Sequence, residues 1–179
     1  TKIWSLISAL ELIITIILGC KLVQLANNNR QSSSLFLMGG LLFLFTSATA
    51  FNFFQFIYSE RILTFLLALY IYNYAVYQSS GRKKNGLLAL LFALFIPFFK
   101  DTAILLAVVP AASTILLGSL GKMQNYPSWG ALKPAEWIRG YGLEIALCSL
   151  APLFLASFVI LSAVPSLAAG VQRYDAHLG

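Results

Sequence analysis

Residues 96–103 read IPFFKDTA, and two adjacent charges, Lys100 and Asp101, stand inside one of the most apolar stretches of the chain. A charge in apolar surroundings is costly unless it is paired or reaches water. Two arrangements resolve the conflict. Residues 87–117 can form a single crossing with an ion pair inside it. Alternatively, the chain turns back at Lys100-Asp101 and leaves both charges at the tip of a helical hairpin. The choice sets the number of helices in the fold, and the charges on either side decide it.

The wider composition defines the setting. The chain has 179 residues, of which 59% are hydrophobic and 10% charged, and its mean hydropathy is +0.82. Soluble domains carry about 25% charged residues, so this chain has too few to cover a water-facing surface. Phe and Tyr are abundant, as at lipid-facing and interfacial positions. The apolar runs are long and continuous, which excludes the alternating pattern of a membrane barrel. These features predict an all-α, polytopic integral membrane helix bundle. The net charge of +6 fits cationic loops at a membrane surface, and no nucleic-acid partner is expected. Cys20 and Cys148 both lie in apolar runs and read as packed small residues. The chain opens at Thr1 without a methionine, so either an initiator was removed or this is a piece of a longer protein. The first apolar segment is too long, with too little charge before it, for a clear signal peptide.

A crossing helix needs about 20 apolar residues. The apolar runs place segments near 3–25, 35–58, 62–78, 87–99, 102–117 and 143–164 in a single domain, 1–179. The polar stretch NNNRQSSS (27–34) separates the first two. The third begins after Ser59-Glu60-Arg61 and ends before the basic turn SSGRKKNG (79–86). If the loops alternate between two sides, one side collects Lys21, Arg30, Arg82, Lys83, Lys84, Lys122, Lys133 and Arg139. The other collects Lys2, Arg61, Lys100 and Arg173. Short loops rich in Lys and Arg stay in the cytoplasm. Both termini are therefore expected outside, in a plasma (inner) membrane with the basic loops cytoplasmic. A single crossing over 87–117 would put the basic loops at 82–84 and 122–139 in opposite compartments. A hairpin puts them together, which gives about six crossings in all. Segment 87–99 is short, about 20 Å of helix, and is expected either to span or to be re-entrant.

Local chemistry favours the same hairpin. Pro97 lacks an amide donor and disfavours helix in the residue before it. Asp101 is placed to cap the next helix and to oppose its dipole. Lys100 can snorkel to lipid phosphates. The long connection from 118 to 142 holds Tyr126, Trp129, Trp137 and Tyr141 among Lys133, Glu136 and Arg139, and a short interfacial helix is expected near 134–141.

Few catalytic constellations fit. There is one histidine, His177, and no His/Cys/carboxylate cluster, so no metal and no other cofactor is expected. Residues 118–122, GSLGK, have the wrong spacing for a phosphate loop, and Met123 replaces its hydroxyl residue. A Ser-His-Asp arrangement and an intramembrane chain of ionisable residues are also missing from the pattern. Four candidate substrate-binding residues remain: Glu11, Glu60, Lys100 and Asp101. Glu11, about one third of the way into the first segment, either faces a polar substrate or cation, or hydrogen-bonds Ser8 or Thr15 near the interface. Glu144 opens the last segment, where an acid suits the helix dipole. Glu60, Arg61, Lys100, Asp101, Arg173, Asp175 and His177 share the outer face, either as a site or as polar helix ends.

One stretch carries a family resemblance. From Tyr58 to Ala111, Ser59-Glu60 opens a helix rich in Leu, Ala and Tyr, a basic turn follows at Gly81–Lys84, one helix ends near Lys100, and another begins at Thr102–Leu106. This pattern resembles the middle of polytopic glycosyltransferases of the GT-C type, which use dolichyl- or polyprenyl-phosphate sugars. The resemblance covers roughly a third of the chain. It implies a membrane glycosyltransferase, or a fragment of one, acting on a lipid-linked sugar at the outer membrane face. Lys100 would then contact the lipid phosphate and Glu60 the sugar hydroxyls. That family's catalytic carboxylate sits in a large outer loop after its first span, whereas loop 27–34 here contains no acid. The residues also allow a non-catalytic subunit that packs on a protein partner, or a small transporter component. Membrane lipid is an expected partner in every case.

Overall fold

A computed structural model describes residues 2–26, 39–40, 58–125 and 138–165. Among these the chain is helical and contains no strand. The all-α class expected from the apolar runs is therefore observed. The long helices are α1 (Lys2–Ala26), α2 (Tyr58–Ser80), α3 (Lys83–Phe95), α4 (Ile104–Asn125) and α5 (Gly142–Phe158). Two 3-10 turns, Ile96–Phe98 and Asp101–Ala103, join α3 to α4, and a π-helical turn, Val159–Ala163, continues α5. The chain forms two compact units, Thr1–Ala107 and Val108–Gly179.

Among the described residues, two stretches are long and apolar enough to cross a membrane: Ser5–Ala26, with mean hydropathy 2.3, and Gly142–Leu161, with 2.2. Ile104–Leu120 is apolar but shorter. The expected segment at 35–58 lies outside the described residues apart from the helical pair Gly39-Gly40 and the first residue of α2.

In the first unit, α1 and α2 run parallel. Arg61, near the start of α2, meets Ser8 and Glu11 of α1. Ten residues further along α1, the Lys21 ammonium lies 5.9 Å from the centre of the Tyr72 ring, eleven residues further along α2. Ala26 and Tyr58 therefore lie at opposite ends of this helix pair. Gly40 backs onto α1, where a Cβ would come 3.4 Å from Cγ2 of Ile16.

The turn between α2 and α3 is set by backbone chemistry. Ser79 and Ser80 both hydrogen-bond back to the Val76 carbonyl. Gly81 then adopts φ +65°, a left-handed geometry that disfavours a side chain, and its amide bonds the Tyr77 carbonyl at 2.8 Å. Arg82 is extended and its carbonyl receives the amides of Asn85 and Gly86, so α3 starts at once in the opposite direction. Small residues let α3 approach α2 closely: Gly86, Ala89 and Ala93 recur at helical spacing and are buried. Asn85 fixes the register by donating to the Asn73 carboxamide oxygen at 3.2 Å, while Asn73 donates to its own helix at Leu69. Tyr70, fully buried, stacks on Tyr74 with centroids 5.9 Å apart.

The IPFFKDTA stretch is a reversal. Lys100 reaches Glu60 near the start of α2. Seven residues later the Ala107 carbonyl accepts a 2.6 Å hydrogen bond from the Tyr70 hydroxyl, ten residues further along α2. The start of α4 thus runs back antiparallel to α3. The local chemistry differs from expectation at two residues. Ile96, before Pro97, stays in the right-handed helical region (φ −53°, ψ −48°) and is fully buried, so its packing outweighs the preference for extended backbone before proline. Its carbonyl also receives the amides of Phe99 and Lys100. Asp101 does not occupy the cap position. The Lys100 carbonyl receives the first bond of the following turn, from the Ala103 amide at 2.9 Å, which puts Asp101 one residue inside it.

In the second unit, α4 carries Pro110 within the helix and α5 carries Pro152. Tyr141 precedes α5, and its ring covers Gly118 so closely that a Cβ there would overlap the phenol. Glu144, in the first turn of α5, is buried. Of the interfacial helix expected near 134–141, residues 138–140 are helical and the rest lie outside the described residues, apart from a bend at Tyr141.

Candidate functional site

Three of the four candidate residues converge at one end of the first unit. Ser8 and Glu11 are three residues apart, so they share a face of α1. Glu60 and Arg61 enter from the first turn of α2. The hairpin tip supplies Lys100. The sequence pattern placed Ser59-Glu60-Arg61 ahead of the third segment. In the structure these residues belong to the helix, because the amides of a first turn and the positive end of the dipole favour an acid such as Glu60.

The site holds two ion pairs of different character. Arg61 Nε lies 2.6 Å from Glu11 Oε2, and both side chains are nearly enclosed, at 8% and 14% exposure. The carboxylate oxygen lies off the Nε–H direction, so this contact is ionic and not an aligned hydrogen bond. Arg61 Nη1 donates to the Ser8 hydroxyl. Beside it, Lys100 Nζ stands 3.7 Å from Glu60 Oε1, with 55% and 35% of the two side chains exposed. The buried pair has its charges matched within the protein. The outer pair is loose and open, and both partners can turn to a ligand: an ammonium to a phosphate, a carboxylate to hydroxyls.

Glu11 therefore meets an arginine. Thr15 does bond at Glu11, but its hydroxyl donates to the backbone carbonyl at 2.7 Å. Ser8 meets Arg61. The partnership of Glu11 and Arg61 was missed because the two lie fifty residues apart and Arg61 read as a loop residue. The available signal was that the first and third segments run in the same direction, which brings their early residues to one level. The backbone of Asp101 adjoins Lys100, while its side chain lies outside the described residues, as do Arg173, Asp175 and His177. Among the described residues no group of three His, Cys, Asp or Glu could hold a metal ion. Neither Cys20 nor Cys148 forms a disulfide.

A second feature borders this end. An apolar groove of about 440 Å³ lies between α1 and α2, beside Gly39 and Gly40. It begins at Thr15 and Thr64, about one helical turn beyond the charged cluster, and extends to Val23 and Ile71.

Comparisons of the chain with protein-family models, curated proteins and solved structures find no match.

Proposed function

We propose that the chain is a polytopic membrane protein, or part of one, that holds the phosphate of a lipid-linked sugar at the open Glu60–Lys100 pair, as a membrane glycosyltransferase does. The membrane part of the reading draws on length, apolarity and exposure together. The apolar stretches of α1 and α5 bury little of their surface, and Ile3, Leu6, Leu10, Leu153, Leu155 and Leu161 point outward. A core helix of a soluble protein would bury most of such a surface. About six crossings, with both termini outside, follow from the charge distribution of the loops.

The substrate reading rests on one observation. A lysine and a glutamate are held together at a hairpin tip, 3.7 Å apart and partly exposed, next to an arginine that is already neutralised. Lys100 is thus the cation of the cluster whose existing partnership is weak enough to exchange for a phosphate. The test is binding and transfer with a short-chain polyprenyl-phosphate hexose, using the full chain in nanodiscs. Lys100→Ala and Glu60→Gln are expected to weaken binding at least tenfold with unchanged insertion and melting temperature. Full binding by both variants would overturn the reading.

The buried Glu11–Arg61 pair supports a second reading, a non-catalytic membrane subunit. A matched ion pair joining two helices organises a scaffold without needing a ligand. In that case both variants would be silent, and a partner protein would copurify with the chain.

A further inference from the structure

We propose that the exposed face of α3 docks anionic phospholipid, with headgroup phosphates at Arg82, Lys83 and Lys84 and acyl chains along Leu87, Leu91, Leu94 and Phe98. The proposal rests on the membrane reading above and is independent of the sugar-transfer reading.

The two faces of α3 follow from spacing. At about 100° per residue, Gly86, Ala89 and Ala93 fall together, and this buried face packs on α2. Leu87, Leu91, Leu94 and Phe95 fall on the opposite face and are exposed. Phe98, in the 3-10 turn that follows, is exposed as well. Lys83 and Lys84 belong to the same outward face. They precede Leu87 by four and three residues, so they bracket the start of the apolar row. Helical side chains lean toward the start of their helix, which carries both ammonium groups beyond the row. Arg82 stands just before them, and all three cations are exposed.

The first unit holds no acid near these cations. Its acids are Glu11, Glu60 and Asp101. Glu60 opens α2, whereas the basic turn follows Ser80, twenty residues or about 30 Å further along that helix. Glu11 pairs with Arg61 at the Glu60 end, and Asp101 adjoins Lys100, which also meets Glu60. The screening length in physiological salt is about 8 Å, so these acids do not neutralise the turn. The first turn of α3 contains no acid either. The counter-charge must therefore come from outside the unit, and the adjoining face selects its chemistry. A soluble anion would leave the row of Leu and Phe uncovered, whereas a phosphate joined to hydrocarbon meets both. From Leu87 to Phe95 the row follows eight residues, about 12 Å of helix, within the roughly 15 Å hydrocarbon depth of one leaflet. The basic side of the charge distribution is the cytoplasmic one, where anionic lipid resides.

The test uses the full chain in nanodiscs of phosphatidylcholine and phosphatidylglycerol, with a diazirine on the acyl chain of one lipid or the other. Crosslinks are mapped by peptide mass spectrometry. Each cation beside an anionic surface is worth about fivefold in affinity. On residues 83–98, phosphatidylglycerol is therefore expected to crosslink at least fivefold more than phosphatidylcholine at equal mole fraction. Raising the salt from about 0.05 M to about 0.5 M should remove most of that preference in the unaltered protein. Arg82→Gln with Lys83→Gln and Lys84→Gln should abolish it, while tail crosslinks from phosphatidylcholine persist. Equal crosslinking of the two lipids in the parent, or a preference unaltered by salt or by the triple variant, would overturn the proposal. So would an α3 that takes no lipid crosslink while Leu153 and Leu161 do, because another protein segment would then cover it. Alkaline carbonate extraction tests the membrane reading separately, since a chain that never inserts is released by it.

Discussion

Arg61 shows how a single residue changes meaning with its surroundings. Ahead of a helix it would be a solvated loop cation. Inside the first turn of α2 it is the enclosed partner of Glu11. Removing one member of such a pair leaves a charge without compensation, at a cost of about 3–5 kcal/mol, whereas replacing both by apolar residues can be nearly neutral. Arg61→Met alone is therefore expected to lower stability by that amount, and Glu11→Leu with Arg61→Met to recover most of it. A double-mutant cycle on thermal unfolding in detergent measures both. Lys100→Ala removes a half-exposed pair worth no more than about 1 kcal/mol, so its melting temperature should stay close to that of the parent. The contrast separates the pair that holds the helices from the pair that is open to a ligand. Glu11 and Lys100 were legible in the sequence as charges that needed an explanation. The charge alternation also put Glu60 on the same face as Lys100, but it did not pair Glu11 with Arg61, because an ion pair between residues fifty positions apart leaves no periodic signature.

At the scale of the element, two positions control how helices meet. The Tyr70 hydroxyl reaches the Ala107 carbonyl from a fully buried ring and ties the start of α4 to α2. Tyr70→Phe keeps the ring and loses this bond, for an expected cost of about 1–3 kcal/mol. Hydrogen exchange should show greater opening at the start of α4 than in α1. Gly118 is the second position. Gly118→Ala puts a methyl group where the Tyr141 phenol lies and should force the ring away. A shift in near-ultraviolet circular dichroism would report this, and the paired variant Gly118→Ala with Tyr141→Ala should remove the strain. The helix lengths were largely readable from apolar runs. Their ends were not. Residues 58–61 joined α2 despite their charge, and Ile96 remained helical before Pro97, because burial and first-turn electrostatics outweighed the local signals.

For the whole molecule, the parallel packing of α1 and α2 makes a topological prediction. If both helices span, the connection between Ala26 and Tyr58 must return the chain to the side where α1 began. Reporter fusions after residues 30 and 83 should give cytoplasmic signals, and fusions after 60 and 101 outer ones. An outer signal at 83 with a cytoplasmic signal at 101 would reverse the orientation. The contacts of Arg61 and Lys21 establish that α1 and α2 run in the same direction, and the loop charges alone supply the expected orientation.

Composition and the length of the apolar runs were enough to anticipate that the described residues are helical, since each run is long and continuous and lacks the alternation of a strand. The turn at Gly81 was also written locally, in glycine's tolerance of positive φ. Tertiary structure alone decided that Glu11 belongs to Arg61, that Glu60 stands beside Lys100, and that a groove opens beside Gly19 and Gly39. The physical reason is range. Helix formation depends on neighbours within a turn, whereas ion pairs and grooves depend on which helices lie side by side, and in which direction they run.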